Sequence, residues 1–269
     1  MAATMAPSVI RDALESFHER PPLVQCLTNI VVAQWTANLL LATGAAPAMV
    51  DNPHEAGDFA RVAGGVLINL GTPYDDTASA MRGAVASAAD SGTPWVLDPV
   101  AAGGLAWRTT LASELLGLGR PAIIRGNASE VLALAGGGGG GGKGVDSIDS
   151  PEAVADVARS VALERGTVVA VSGPIDHLTD GDLLVRVGNG HPWLTRVTGV
   201  GCALGALMAG FAAVVEDPMV AAVAATAMLT VSAEIAAAGC RGPGGFAVAL
   251  LDELSLLTPA TLAERVTLS

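Results

Sequence analysis

Aromatic residues and positive charges are both scarce in this chain, and each shortage limits what the protein can be. Aromatic side chains make up 3% of the 269 residues, against 33 glycines, so the core must be built from small aliphatic side chains. The 14 lysines and arginines are outnumbered by 26 aspartates and glutamates, which gives a net charge of −12. A general nucleic-acid-binding protein needs a basic face, and this charge balance argues against one.

The cysteine content and the first residues bear on where the protein works. Three widely spaced cysteines give neither a disulfide framework nor the ligand spacing of a zinc site, which favours a reducing compartment. Residues 1–20 include charged residues such as Arg11, Asp12 and Glu15 and contain no apolar core segment, so no secretory signal is predicted. We therefore expect a cytoplasmic protein.

One apolar run, Pro218–Ala238, is long enough to cross a membrane. It is rich in alanine rather than leucine, and it contains Thr226, Thr230, Ser232 and Glu234. Because a charged side chain is costly inside a bilayer, the composition favours a helix buried in the core or in a subunit interface.

Short apolar segments alternate with helix-like segments along the first part of the chain. The predicted strands are 45–50, 65–70, 95–97, 122–124 and 167–171. The predicted helices are 29–42, 53–63, 77–90, 129–134 and 151–165. This alternation predicts an α/β fold with a largely parallel central sheet and helices on both faces. Polar residues follow each strand, at the edge where such sheets bind ligands.

The last third of the chain has a different pattern. Segments 183–187 and 192–197 flank Gly188-Asn189-Gly190 and predict a β-hairpin, followed by apolar helices at about 200–215 and 217–239 and a last amphipathic helix. No internal repeat or composition break divides residues 1–269, so a single domain is expected. The seven consecutive glycines at 136–142 fit either a mobile flap over a site or a solvated linker.

The segment Thr198-Gly199-Val200-Gly201-Cys202 places a glycine-rich turn directly before an apolar helix. At a helix start, unpaired backbone N–H groups and the helix dipole favour an anion. The same position lowers the pKa of a cysteine, so we expect a partly ionised Cys202. The pattern predicts an anion site beside a base or nucleophile, although a plain helix start with a small buried cysteine also fits it.

Asn29 and Asp98 are two further polar residues at positions where a ligand could bind. Asn29 is expected near a helix start, where it fits either a helix cap or a ligand contact. Asp98 ends a predicted buried strand, so its carboxylate fits either the ligand crevice or a turn cap.

Arg125, Asn127 and Glu130 cluster at the end of another strand and the start of a helix. Asparagine and glutamate oxygens suit Mg²⁺, and an arginine suits phosphate. The same spacing fits a capping box, and both interpretations can hold together. With the glycine turn, these groups supply what phosphoryl transfer needs, although neither a P-loop nor the protein-kinase motif set is present.

From about residue 20 to residue 258 the chain resembles the hydroxyethylthiazole kinases, a family of the ribokinase-like superfamily. Cys202 in the glycine turn is the sharpest marker, because most of the superfamily has aspartate there as catalytic base. The other matching motifs, in order, are CLTN at 26–29, AN at 37–38, GAAPAM at 44–49, NLGT at 69–72, LDPV at 97–100, IRGNASE at 124–130, KGVDS at 143–147, SG at 172–173 and GPG at 242–244.

The resemblance implies a ribokinase-like three-layer fold and a reaction in thiamine biosynthesis or salvage. In this reaction ATP, with Mg²⁺, phosphorylates the primary alcohol of 4-methyl-5-(2-hydroxyethyl)thiazole. It also implies a homotrimer with the thiazole site between subunits. The residue roles that it implies are catalysis for Cys202, thiazole binding for Met49 and Gly199, ATP binding for Arg125 and Ser172, phosphate binding for Gly199, Val200 and Gly201, and metal binding for Asp98, Asn127 and Glu130. Asn29 is added to the substrate-binding residues because of its place at a helix start.

The chain departs from the family pattern at three places. Gln25 stands where many relatives have histidine, Ser172 replaces a usual threonine, and the glycine tract is longer than usual. Two enzymes of the same fold are alternatives, a dehydratase that repairs hydrated nicotinamide cofactors and hydroxymethylpyrimidine kinase, but both carry aspartate where this chain has Cys202. A thiazole- or nucleotide-binding regulatory protein without turnover is the non-enzyme alternative.

Overall fold

The computed structural model describes residues 5–135 and 151–269, and within these ranges the chain forms an eight-stranded sheet in the order β2-β1-β3-β4-β5-β6-β7-β8. The strands are β1 (Leu23–Leu27), β2 (Ala46–Ala48), β3 (Gly65–Asn69), β4 (Trp95–Asp98), β5 (Ile123–Asn127), β6 (Val168–Ser172), β7 (Asp176–Thr179) and β8 (Leu184–Val187). Strands β1 to β6 pair in parallel, and β7 and β8 are antiparallel. The glycine tract at 136–142 and the motif at 143–147 lie outside the described residues.

Helices cover both faces of this sheet. They are α1 (Pro7–Glu19), α2 (Ala33–Ala42), α3 (Ala56–Ala60), α4 (Asp75–Ser91), α5 (Ala106–Leu118), α6 (Ala128–Ala135), α7 (Pro151–Arg165), α8 (Val200–Ala212), α9 (Pro218–Ala238), α10 (Pro243–Leu256) and α11 (Pro259–Arg265). The predicted α/β class with a largely parallel sheet is confirmed.

Successive residues of the central strands point into two different cores, because side chains alternate across a strand. In β3, Leu67 joins the core formed with α1, α2 and α8 to α11, while Val66 and Ile68 join the core formed with α3 to α7. All residues of β3 are buried, as expected for a parallel strand that is covered on both faces.

Small residues let α8 lie directly against the sheet. A Cβ atom on Gly65 of β3 would overlap the carbonyl oxygen of Ala209 in α8. A Cβ atom on Gly205 of α8 would lie 2.9 Å from Leu67 Cδ1. The glycines at these two positions therefore allow a close contact between α8 and the sheet.

Helix α9 is long and apolar enough to cross a membrane, but 83% of its most apolar stretch is buried inside the fold. It packs between the sheet and neighbouring helices in the same core as α8 and α10. This burial agrees with the predicted core helix rather than with a membrane span.

The predicted hairpin is wrong. Strand β8 pairs with β7, and Pro192–Arg196 forms a 3-10 helix. Pro192 has no N–H to donate to a strand partner and favours a helix start. The backbone N–H of Gly188 instead donates to the carbonyl oxygen of Thr267.

Several element boundaries also differ from the predictions. Helix α2 begins at Ala33 rather than at residue 29, and the predicted last helix is two helices separated before Pro259. Strands β1 and β7 and helices α1 and α5 were not predicted. In β1 the polar Gln25 interrupts the apolar run, although its side chain is fully buried.

Candidate functional site

Polar side chains from several strand ends meet the first turn of α8 at the carboxyl edge of the sheet. The sulfur of Cys202 accepts a hydrogen bond from Asn29 Nδ2 at 3.3 Å. The same amide nitrogen donates to Asn69 Oδ1 at 3.1 Å, and Asn69 Nδ2 donates to Asp98 Oδ2 at 2.7 Å. A chain of hydrogen bonds thus joins the thiol of Cys202 to the carboxylate of Asp98.

Arg125 lies on the other side of Asp98. Its Nη1 is 3.6 Å from Asp98 Oδ2, and its Nη2 donates to Ser172 Oγ at 2.9 Å. A Cβ atom on Gly201 would lie 2.9 Å from Arg125 Nη1, so the guanidinium rests against the first turn of α8. A fixed positive charge therefore stands beside the amide groups that begin this helix, an arrangement that favours a phosphate group.

Gly199 must be glycine for two independent reasons. Its φ of +93° lies in the left-handed region, where side chains are strained. A Cβ atom there would lie 2.7 Å from Val32 Cβ. This residue precedes α8 directly, so the backbone N–H groups of Val200, Gly201 and Cys202 have no acceptor one turn back within the helix.

The expected ionisation of Cys202 is wrong. Burial, with a smaller contribution from the charge of Asp98, raises the pKa of the thiol above its usual value. The direction of this shift is opposite to the one expected from the helix start, and it favours the thiol form of Cys202 at neutral pH. Burial also raises the pKa of Asp98 to about 6, against the opposing influence of Arg125.

The capping box predicted for Asn127 and Glu130 is confirmed. The backbone N–H of Asn127 donates to Glu130 Oε2 at 2.9 Å, and the backbone N–H of Glu130 donates to Asn127 Oδ1 at 3.0 Å. Glu130 Oε1 accepts from the backbone N–H of Ala101 at 2.9 Å. These bonds hold the carboxylate of Glu130 near Asp98, and its negative charge further raises the pKa of Asp98.

The oxygen atoms of Asp98, Asn127 and Glu130 are of the kind that binds a magnesium ion. The buried Oδ1 atom of Asp98 has no hydrogen-bond partner within the described part of the chain. Carboxylate and amide oxygens are the ligands that Mg²⁺ prefers, and it retains several waters when it carries phosphates. In the described ranges no three acidic, histidine or cysteine side chains are grouped to hold a metal alone, so such an ion needs waters or phosphate oxygens as further ligands.

Asn29 and Met49 occupy different settings. Asn29 does not cap α2; it is 6% exposed, and its side chain joins Cys202 to Asn69. Met49 follows the edge strand β2 and is 38% exposed. Ile30 and Val31, which follow the neighbouring parallel strand β1, are exposed as well. The structure therefore brings Asn29 to the thiol and leaves Met49 on the surface.

A cavity of about 610 Å³ opens beside this cluster, and Arg125, Ser172 and Gly201 line it. Its apolar lining includes Leu194, Leu204 and Leu229. A cavity with apolar walls and a few converging polar groups is typical of a small-molecule site. A second cavity, of about 630 Å³, lies at the amino ends of β4 to β6 and contains none of the predicted site residues.

Sequence reasoning missed further residues of the first cavity. Asp176, Asn189 and His191 line it, and so does Thr230 of α9. Burial raises the pKa of Asp176 to about 6. The Gly188-Asn189-Gly190 sequence signalled a turn but not its place in a cavity wall. Asn69 was recognised within a motif, but no role followed from the sequence.

Comparison with known proteins decides the family. The model of the hydroxyethylthiazole kinase family matches residues 14–260. A protein of Clavibacter sepedonicus named hydroxyethylthiazole kinase is 59% identical over 258 residues, which cover 96% of this chain and 93% of that protein. This chain belongs to the hydroxyethylthiazole kinase family.

Solved structures agree with this family. A hydroxyethylthiazole kinase protein from Pyrococcus horikoshii OT3 has a TM-score of 0.88 at 36% identity, and the match covers 97% of this chain and 98% of that one. A ribokinase-like superfamily protein from Enterococcus faecalis V583 has a TM-score of 0.66 at 12% identity over 95% of this chain and 96% of that one, and shares the fold alone. The ribokinase-like fold, the family and the kinase class predicted from the sequence are therefore confirmed.

Proposed function

We propose that this chain is a single kinase domain that transfers the terminal phosphoryl group of ATP to the primary alcohol of 4-methyl-5-(2-hydroxyethyl)thiazole, in thiamine biosynthesis or salvage in the cytoplasm. Membership of the hydroxyethylthiazole kinase family supports the reaction. The observation that carries it is the Arg125 guanidinium resting on Gly201 at the start of α8, one residue from Cys202. A phosphate held there lies beside the group that meets the acceptor alcohol.

In this proposal Arg125 and Ser172 bind ATP. The hydrogen bond from Arg125 to Ser172 fixes the guanidinium in the cavity wall. The backbone N–H groups at Gly199, Val200 and Gly201 then stabilise the charge on the phosphoryl group during transfer. These groups already stand at the start of a helix that packs closely against β3.

Asp98, Asn127 and Glu130 would hold the Mg²⁺ that accompanies ATP. Bound there, the ion would neutralise charge on the phosphates. The capping box gives the carboxylate of Glu130 a fixed direction, and the hydrogen bond from Asn69 fixes that of Asp98. The expected consequence is that chelation of divalent metal abolishes turnover.

The acceptor would bind at Asn29, Gly199 and Met49, between copies of the chain in a homotrimer. Met49 follows β2, and Ile30 and Val31, which are 75% and 67% exposed, follow the neighbouring parallel strand β1. A second copy covering this apolar surface would enclose the thiazole and remove the exposed side chains from water. No role for nucleic acid or a membrane is proposed.

Cys202 orients the acceptor hydroxyl in this mechanism rather than acting as a strong base. The neutral thiol is held by the N–H of Asn29, and the mostly dissociative transfer of a phosphoryl group needs little deprotonation of the alcohol at first. The thiol therefore contributes by holding the hydroxyl oxygen towards the phosphate.

Cys202→Ala should lower kcat by less than about 100-fold, because full proton-transfer catalysis contributes more than an orienting contact. Cys202→Asp should retain or raise kcat, since a carboxylate both orients the hydroxyl and accepts its proton. The matched control is Cys240→Ala, at a partly buried cysteine after α9, which should leave kcat unchanged. Unchanged turnover in Cys202→Ala would remove Cys202 from the mechanism.

The reaction itself is tested by mixing the purified protein with Mg·ATP and hydroxyethylthiazole and detecting the phosphorylated thiazole by mass spectrometry. We expect product well above background, and none after addition of a chelator. Hydroxymethylpyrimidine and hydrated nicotinamide cofactor serve as competing substrates. Product from one of these two compounds but not from hydroxyethylthiazole would reject the proposed acceptor. Binding of ATP and hydroxyethylthiazole without any product would favour a regulatory protein.

A further inference from the structure

One carboxylate holds the loop that follows β8. Glu234 is the only charged residue of α9. Its Oε1 accepts from the backbone N–H of Gly190 at 2.9 Å, and its Oε2 accepts from Asn189 Nδ2 at 3.1 Å. Both oxygens of one side chain thus bind consecutive residues of the loop, which we name the Glu234 clamp (Glu234, Asn189 and Gly190).

Asn189 extends this clamp to the segment that follows α11. Its Nδ2 also donates to the carbonyl oxygen of Arg265 at 3.0 Å, and its Oδ1 accepts from the backbone N–H of Thr267 at 2.7 Å. Asn189 is 6% exposed, and these bonds use both of its amide protons and its oxygen. Its side chain therefore has no proton left to donate to a ligand and acts by fixing backbone.

The clamped loop is a wall of the 610 Å³ cavity that Arg125 and Ser172 also line. Asn189 and Gly190 belong to this wall, and so does Thr230, which lies one helical turn before Glu234 on α9. Residues 188–191 lie between regular elements, so no helix or strand ladder fixes this part of the wall. It is held by the bonds of the clamp and by those that Gly188 and Asn189 form with residues 265–267.

We propose that Glu234 and Asn189 are positioning residues that set the affinity for the nucleotide by fixing this wall of the cavity. The inference rests on the proposed function in placing the nucleotide beside Arg125. A wall that is already ordered lowers the conformational cost of binding, and a loosened wall raises it. The acceptor is expected near Cys202 and Asn29, so its binding is independent of the clamp.

The test is Glu234→Gln, which keeps the shape of the side chain but replaces one acceptor oxygen with an amide group. Loss of one hydrogen bond to a charged acceptor should raise the KM for ATP by about tenfold. The kcat and the KM for hydroxyethylthiazole should stay within about twofold of the wild-type values, because the acceptor site and the clamp are separate. The control is Glu216→Gln, the same change at an exposed position before α9, which should alter neither KM.

Asn189→Ala provides a second route if Glu234→Gln folds poorly. It removes the bonds to Glu234 and to the segment at 265–267 together, so it should raise the KM for ATP at least as much. The double variant should show less than the sum of the two effects, because both changes break one shared contact. An unchanged KM for ATP, or an equal rise for both substrates, would overturn the proposal.

Binding measurements separate this inference from the proposed reaction. If the wild-type protein fails to phosphorylate hydroxyethylthiazole, the affinity of a non-hydrolysable ATP analogue is measured with the same variants. Weaker binding to Glu234→Gln than to Glu216→Gln supports the clamp even then. Equal binding to both variants overturns it, whatever the acceptor of the reaction is.

Discussion

Arg125→Met should lower kcat/KM for ATP by about 1,000-fold, a loss of about 4 kcal/mol of transition-state stabilisation. Arg125 is the positive group that rests on the first turn of α8, and it also neutralises the buried Asp98. Its replacement removes a charge from the position proposed for the phosphates and leaves a carboxylate without its cationic neighbour. Both losses act on the same step, because phosphoryl transfer depends on positioning and charge.

Steady-state kinetics at varied ATP concentration measures this effect. Arg125→Lys should recover only part of it, since a lysine keeps the charge but cannot bind Asp98 and Ser172 as a planar fork. Arg82→Met is the matched control. Arg82 of α4 forms an exposed ion pair with Glu114 of α5, so its replacement should hardly change kcat/KM. An Arg125→Met enzyme within tenfold of wild type would contradict the proposed phosphate site.

Gly65→Ala should lower the free energy of unfolding by at least about 4 kcal/mol, which is enough to unfold many domains. The added methyl group would overlap the carbonyl oxygen of Ala209, and neither atom belongs to a flexible side chain. To accept it, α8 must move away from β3, and this shift would disturb the first turn of α8 as well. Loss of stability should therefore be accompanied by loss of turnover.

Denaturant unfolding followed by circular dichroism measures the change in stability. Gly83→Ala makes the same substitution inside α4, where an added Cβ would contact nothing within 4 Å. That control should be neutral or stabilising by up to about 1 kcal/mol, because alanine favours helix over glycine. A Gly65→Ala protein as stable as Gly83→Ala would show that α8 and β3 are less tightly packed than the structure describes.

The parts of the fold that the sequence predicts well are those decided by local pattern. Helix α7 has the predicted bounds, and β3 differs from its prediction by one residue. Strand β1 was missed because Gln25 is polar. Its Nε2 donates to the carbonyl oxygens of Val50 and Ala56, contacts that only the tertiary fold supplies.

The candidate site shows the same division. The residues at the strand ends follow from order along the chain, so Asp98, Arg125 and Ser172 are found together as predicted. The hydrogen bond from Asn29 to Asn69 joins the loop after β1 to the end of β3, and no sequence pattern predicts this contact. The pKa of Cys202 was mispredicted because a helix start is a local feature, whereas burial and the neighbouring Asp98 are tertiary ones.

The position of α8 and α9 late in the chain constrains how the protein is made. All eight strands are complete by Val187, but the two helices that cover much of one sheet face begin at Val200 and Pro218. A ribosome therefore releases the strands before these two helices, and the part of the sheet that they cover stays exposed until Ala238 has left the exit tunnel. Burial of this part of the sheet must wait for most of the chain, and apolar surface that is exposed during synthesis favours aggregation.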